Sequence, residues 1–114
     1  MSDRDLTLLL TDILESASKI KRYTQGLKFE DFETDDKTID AVVRNLEIIG
    51  EAAHRIDPDY KLQHPEIEWE RMYGLRNRIV HAYFGVDINI VWNIILYYLD
   101  DLIESIQSLI SEEE

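Results

Sequence analysis

Four long runs of this chain place apolar residues three and four positions apart, and none alternates them in strand fashion, so its elements are predicted to be helices. The first run carries Leu6, Leu9, Leu10, Ile13, Leu14, Ala17 and Ile20. Ser2, Asp3 and Asp5 stand where an N-cap and a favourable dipole charge belong, and Gly26 stands at the stop. The second run starts after Thr34 or Asp35 and carries Ile39, Val42, Val43, Leu46, Ile49, Ala53 and Ile56 before DPDY interrupts it. A third, from about Glu66 to near Gly85, carries Ile67, Trp69, Met72, Leu75, Ile79 and Ala82. A fourth begins after Asp87 and carries Val91, Trp92, Ile95, Leu99, Leu102, Ile103, Ile106 and Ile110.

Short connections between such runs predict an all-α, up-and-down four-helix bundle. FEDFETDDK reads as a loop with at most one helical turn, and the piece between Pro58 and Pro65 as irregular. At 114 residues and 45% apolar content, the length suits one domain over 1–114 with one core. The fourth run interleaves Ile94, Leu96, Tyr97 and Tyr98 with its inner stripe. A helix apolar on more than one face usually buries against a second partner, and a homodimer is the expected one, with a helix fully sunk in a small core as the alternative.

Charge and composition narrow the function. The chain contains no cysteine, which removes disulfides, thiolate zinc sites and a cysteine nucleophile. His54 and His64 have no zinc-like spacing to His81, and no metal or cofactor is expected. No segment resembles a secretory signal or the ~20 apolar residues of a membrane span, so a soluble cytoplasmic protein without membrane contact is expected. A net charge of -12 argues against a broad nonspecific grip on nucleic acid. The charge is uneven, however. From Phe84 onward there are seven acids and no Lys or Arg, whereas Ala41 to Tyr83 holds six bases against seven acids and all three histidines. An anionic ligand would find its partners only there, and Glu112 to Glu114 are read as a solubilising end.

Within that middle stretch, Arg76-Asn77-Arg78-Ile79-Val80-His81-Ala82-Tyr83 packs five polar side chains into eight residues. On a regular helix Asn77 and His81 share a face, as do Arg76 and Tyr83, while Arg76 and His81 diverge by about 140°. The structural alternative pairs Arg76 and Arg78 with acids such as Glu51 or Glu47 and seats His81 between helices. Against it stands the cost of burying several charged groups in so small a domain. The chemical alternative is internal phosphoryl transfer in RNA, where the 2′-hydroxyl adjoins its own phosphate. A histidine with pKa near ~6.5 would move the protons, and an arginine fork would hold the phosphate oxygens. Trp69 and Trp92 fit core or interface anchors better than base platforms. Gly50 suits a close helix approach, and Glu51 suits support of a motif arginine.

These residues resemble the R-x4-H-x-Y motif of the HepT toxins in the HEPN superfamily of small helical ribonucleases. The similarity extends to RNLEIIGEAAHRI (Arg44 to Ile56), WERMYGLRNRIVHAYFGVD (Trp69 to Asp87) and the INIVWNII that follows, and so covers most of the chain. The resemblance implies a HEPN-like dimeric bundle in which two motifs meet across the interface and cleave RNA without metal. Arg76 and His81 match the catalytic pair, and Asn77 matches the polar residue after the arginine. Tyr83 matches the tyrosine to which a cognate MntA-type nucleotidyltransferase antitoxin adds AMP, as in type VII toxin–antitoxin pairs. Arg78, Arg44 and Arg55, with Arg71, are the expected supports for RNA. The competing function is a non-enzymatic substrate-binding or scaffold subunit of a minimal nucleotidyltransferase.

Overall fold

The computed structural model describes residues 5–80 and 87–113, and of residues 79 and 80 the backbone alone. Every element among them is helical: α1 (Leu6–Thr24), α2 (Phe29–Glu33), α3 (Asp36–Arg55), α4 (Pro58–Gln63), α5 (Trp69–Val80), α6 (Ile88–Tyr97) and α7 (Leu99–Glu113). The all-α, HEPN-like fold is the expected one. Its centre is α3, which packs against both α1 and α5, while α7 lies against α1. The predicted stripes supply the core: Leu10, Ile13, Val42, Ala53, Val91 and Ile106 are almost completely enclosed. Burial of each of the larger of these, the leucine, isoleucines and valines, contributes about 1.5–3 kcal/mol.

Local chemistry sets the helix ends. Asp5 Oδ1 accepts the Thr7 N–H at 3.1 Å and caps α1, while Gly26 at φ 80° turns the chain away after it. Asp35 accepts both the backbone N–H and the hydroxyl of Thr38 at 3.1 and 2.7 Å, and these two donors hold its carboxyl below the usual range. Asp87 accepts from Asn89 N–H at 3.0 Å and starts α6. The stops and starts expected at Ser2 and Gly85 lie outside the described residues.

Three expectations change. The piece after Pro58 is helical, because proline at the first helical position lacks only a donor that has no partner there anyway, and Asp57 caps it through Asp59 N–H at 2.8 Å. The third helix begins at Trp69, since residues 64–68 are spent on turns that bury Ile67 and let the Trp69 indole N–H donate to the His64 carbonyl at 3.0 Å. The fourth run is two helices hinged at Tyr98. No proline or glycine marks the hinge, so periodicity alone reads through it. Different partners account for it: Trp92 of α6 packs on Phe32 and Phe29, at 5.1 and 6.0 Å between centroids, whereas α7 packs on α1. The expected turn within FEDFETDDK is α2, which drives Phe32 fully into the core.

The hinge carries a pH signature. Burial, followed by the charge of Glu68, pushes the Tyr98 phenol up from 10.0 to about 12. Burial, followed by Glu113 and Glu112, does the same to Tyr60, whose hydroxyl is enclosed without a hydrogen-bond partner among the described residues. Unfolded phenols ionise near 10.0 and these two near 12, so the folded state holds more protons between those values. Their stabilising contribution is therefore complete below pH 10 and lost as pH rises toward 12. Circular dichroism and tyrosinate absorbance, followed together, are expected to show Tyr60 and Tyr98 titrating only as the helices melt. Titration of both before any loss of helix would contradict the burial described.

Candidate active site

The site is built where α3 and α5 run closest. Gly50 faces α5, and a Cβ placed there would overlap the Cβ of Arg76 and stand 2.9 Å from the Met72 carbonyl oxygen. Only glycine permits this approach, as its sequence position suggested. The close contact puts Arg76 beside the next α3 residue: its Nη2 meets Glu51 Oε2 at 3.2 Å, and its Nη1 donates to Asn77 Oδ1 at 2.9 Å. The Arg76 side chain is 26% exposed and that of Glu51 43%, so the pair lies at the rim of the core rather than within it. Arg76 Nε is buried and has no acceptor among the described residues. Two contacts therefore orient the guanidinium, while its remaining terminal N–H groups can still bind an anion.

The predicted arginines divide between two flanks. Arg44 and Arg55 share a cleft of about 560 Å³ with Arg76, together with Asp12, Glu47 and Glu51. Arg78 lies on the other flank of α5, with Arg71, in a groove of about 820 Å³ walled by Leu46, Leu75, Ile94 and Tyr97. Arg44 and Arg55 are thus brought to Arg76, and Arg78 is not. The three arginines of the first cleft are matched by three carboxylates, which predicts weak, salt-sensitive attraction for a polyanion. His81 and Tyr83 lie outside the described residues.

One feature of this flank goes beyond the sequence reading. His54, on α3, and Tyr73, on α5, stack with centroids 3.9 Å apart and planes 12° from parallel. The spacing of His54 to the other histidines, unlike a zinc site, carries no sign of the pair. The available signal was its position three residues past Glu51, with Tyr73 three before Arg76. Trp69 and Trp92 are packed inward, as expected of anchors. Among the described residues no group of three or more His, Asp or Glu side chains gathers at a metal-binding spacing, and no helix is long and apolar enough to cross a membrane.

The described residues thus form an all-α bundle in which α5 presents an arginine–asparagine pair braced by a glutamate of α3. The chain belongs to the HepT-like ribonuclease family, whose pattern matches residues 13–109. A Thermococcus cleftensis protein named "Probable ribonuclease HepT" is 49% identical over 83 residues, covering 73% of this chain and 76% of that one. Two Methanocaldococcus jannaschii proteins are also similar. "Putative RNase MJ0127" is 35% identical over 114 residues, 100% of this chain and 94% of the relative. "Putative RNase MJ1380" is 41% identical over 95 residues, 83% and 87% respectively. No solved structure gives a significant match.

Proposed function

We propose that the protein is the toxin ribonuclease of a type VII-like toxin–antitoxin pair, cleaving RNA without metal through Arg76, Asn77 and His81. The observation that carries this reading is the pre-set Arg76: Glu51 at 3.2 Å and Asn77 at 2.9 Å aim its fork before any ligand arrives. Such a fork binds two phosphate oxygens and stabilises the charge that builds on them as the 2′-hydroxyl attacks. His81 removes the hydroxyl proton and returns one to the departing 5′-oxygen. Asn77 steadies the arginine. Tyr83 is the point of control. AMP attached there by the cognate nucleotidyltransferase would bring a negative phosphate toward Arg76 and bulk into the cleft.

The active species is a homodimer. Tyr97 and Leu96 are left 77% and 50% exposed beside the apolar groove. Because α5 forms one wall of that groove, a second copy seated there would bring two motif helices together through the flank that carries Gly74 and Arg78, with Arg76 on the flank beyond. Gly74 tests this placement. It lines the groove, and a Cβ there meets nothing within 4 Å. Gly74→Leu is expected to keep or raise the melting temperature of the isolated chain, since glycine costs a helix up to ~1 kcal/mol, yet to yield monomers by light scattering. A Gly74→Leu dimer of unchanged affinity would place the interface elsewhere.

The deciding experiment incubates the unmodified protein with total RNA in EDTA, beside His81→Ala, Arg76→Ala and the AMP-modified form. Cleavage by the unmodified protein alone is expected. Full activity in the modified form would remove Tyr83 as the switch, and silence from the unmodified dimer would favour a substrate-holding subunit of a nucleotidyltransferase.

A further inference from the structure

We propose that the stacked His54–Tyr73 pair is a nucleobase platform, which receives one unpaired base of single-stranded RNA while Arg76 holds a neighbouring phosphate. The ligand assigned to it rests on the ribonuclease reading above. The geometry singles this pair out. The other aromatic contacts among the described residues meet at 31° to 64° and involve rings of the core or its edge. His54 and Tyr73 are nearly parallel, and His54 is exposed. Their 3.9 Å centroid separation is tighter and flatter than the offset or edge-on arrangement aromatic pairs favour by themselves. Two helices hold the rings so, and neither ring is hydrogen-bonded to another described residue. The outer face of the imidazole is a flat π surface that a third ring can extend.

Position supplies the second argument. Tyr73 precedes Arg76 by three residues and Asn77 by four, while His54 follows Glu51 by three and adjoins Arg55. A three-residue step is about 4.5 Å along a helix. Tyr73 therefore stands less than one turn along α5 from Arg76, and His54 less than one turn along α3 from Glu51, the ion-pair partner of Arg76. Charge supplies the third. With a net charge of -12 and carboxylates interleaved among the cleft arginines, the protein has little counterion-release energy to spend on RNA. Affinity must then come from short-range contacts that ignore net charge, and base stacking is such a contact, tolerant of base identity. Access to a base face also requires an unpaired strand, so the platform selects single-stranded RNA over a duplex.

The test uses the full-length protein carrying His81→Ala, so that RNA stays intact, and a single-stranded oligonucleotide containing 2-aminopurine, whose fluorescence is quenched on stacking. Quenching is expected in this parent. Adding His54→Leu, which keeps an apolar contact with Tyr73 but has no π face, should abolish quenching and raise Kd about 5- to 150-fold, the equivalent of ~1–3 kcal/mol for one base stack. Adding His54→Tyr should restore both, with melting temperatures of all three alike. Unchanged Kd and quenching in His54→Leu, or failure of a folded His54→Tyr to recover them, would overturn the platform. The two readings fail separately. Normal cleavage and binding by protein carrying only His54→Leu removes the platform and spares the ribonuclease. Quenching through His54 in a protein that cuts no RNA does the reverse.

Discussion

Gly50→Ala is expected to destabilise the protein by about 1–2 kcal/mol and to lower RNA cleavage by far more than the folded fraction falls. The methyl would gain up to ~1 kcal/mol of helix propensity, so the sign depends on what it meets. It meets the Arg76 Cβ at an impossible separation, the Met72 carbonyl oxygen at 2.9 Å and the Arg76 Cγ at 3.0 Å. The first two are fixed to the α5 backbone and cannot swing aside as a flexible side-chain tip would. Relief requires α5 to move away from α3, and overpacking of this kind costs about 1–3 kcal/mol. That movement also separates Arg76 from Glu51, whose 3.2 Å contact spans the same two helices, so the arginine loses its aim even in molecules that remain folded. Urea unfolding and cleavage assays on one preparation separate the two effects. A more stable, fully active Gly50→Ala protein would mean that the helices do not approach so closely.

Arg76→Ala is expected to reduce cleavage on the order of 10²–10³-fold, the usual loss when a donor aimed at developing charge is removed. Stability should change little, because Glu51 is left 43% exposed and can be hydrated. Arg76→Lys is the sharper variant. It keeps the positive charge but not the planar fork, and one ammonium cannot contact Glu51, Asn77 and two phosphate oxygens together. Lysine should therefore recover only a small part of the activity, and the combined Arg76→Ala and His81→Ala losses should fall short of their product, since both act in one step. Wild-type cleavage by Arg76→Ala would reduce the arginine to a strut between α3 and α5. Single-turnover kinetics in EDTA at fixed salt provides the measurement.

Legibility along the chain follows the range of the forces involved. Leu10, Ile13, Val42 and Ile106 were assignable to the core because a helix repeats its buried face every three or four residues, and burial shows in residue type. Asp35 and Asp87 were readable as caps because a side chain bonding an N–H two or three residues on is a local event. Pro58 misled because proline both ends a helix and begins one, and the neighbouring Asp57 decides between the two. The hinge at Tyr98 left no local trace, since it comes from α6 and α7 packing on different partners.

The same division runs through the candidate site. The amino-acid sequence by itself determined that this is a helical protein, and that Arg76, Asn77, His81 and Tyr83 stand at the spacing that carries the resemblance to HepT, because periodicity and motif spacing are properties of one segment. Tertiary structure decided which residues serve Arg76. It selected Glu51 over Glu47 as its ion-pair partner, grouped Arg44 and Arg55 with it while turning Arg78 to the opposite flank, and laid His54 on Tyr73. Those choices depend on the rotation and separation of two antiparallel helices whose contacting residues lie some twenty positions apart. That relation is set by the absence of a side chain at Gly50, where α3 and α5 touch.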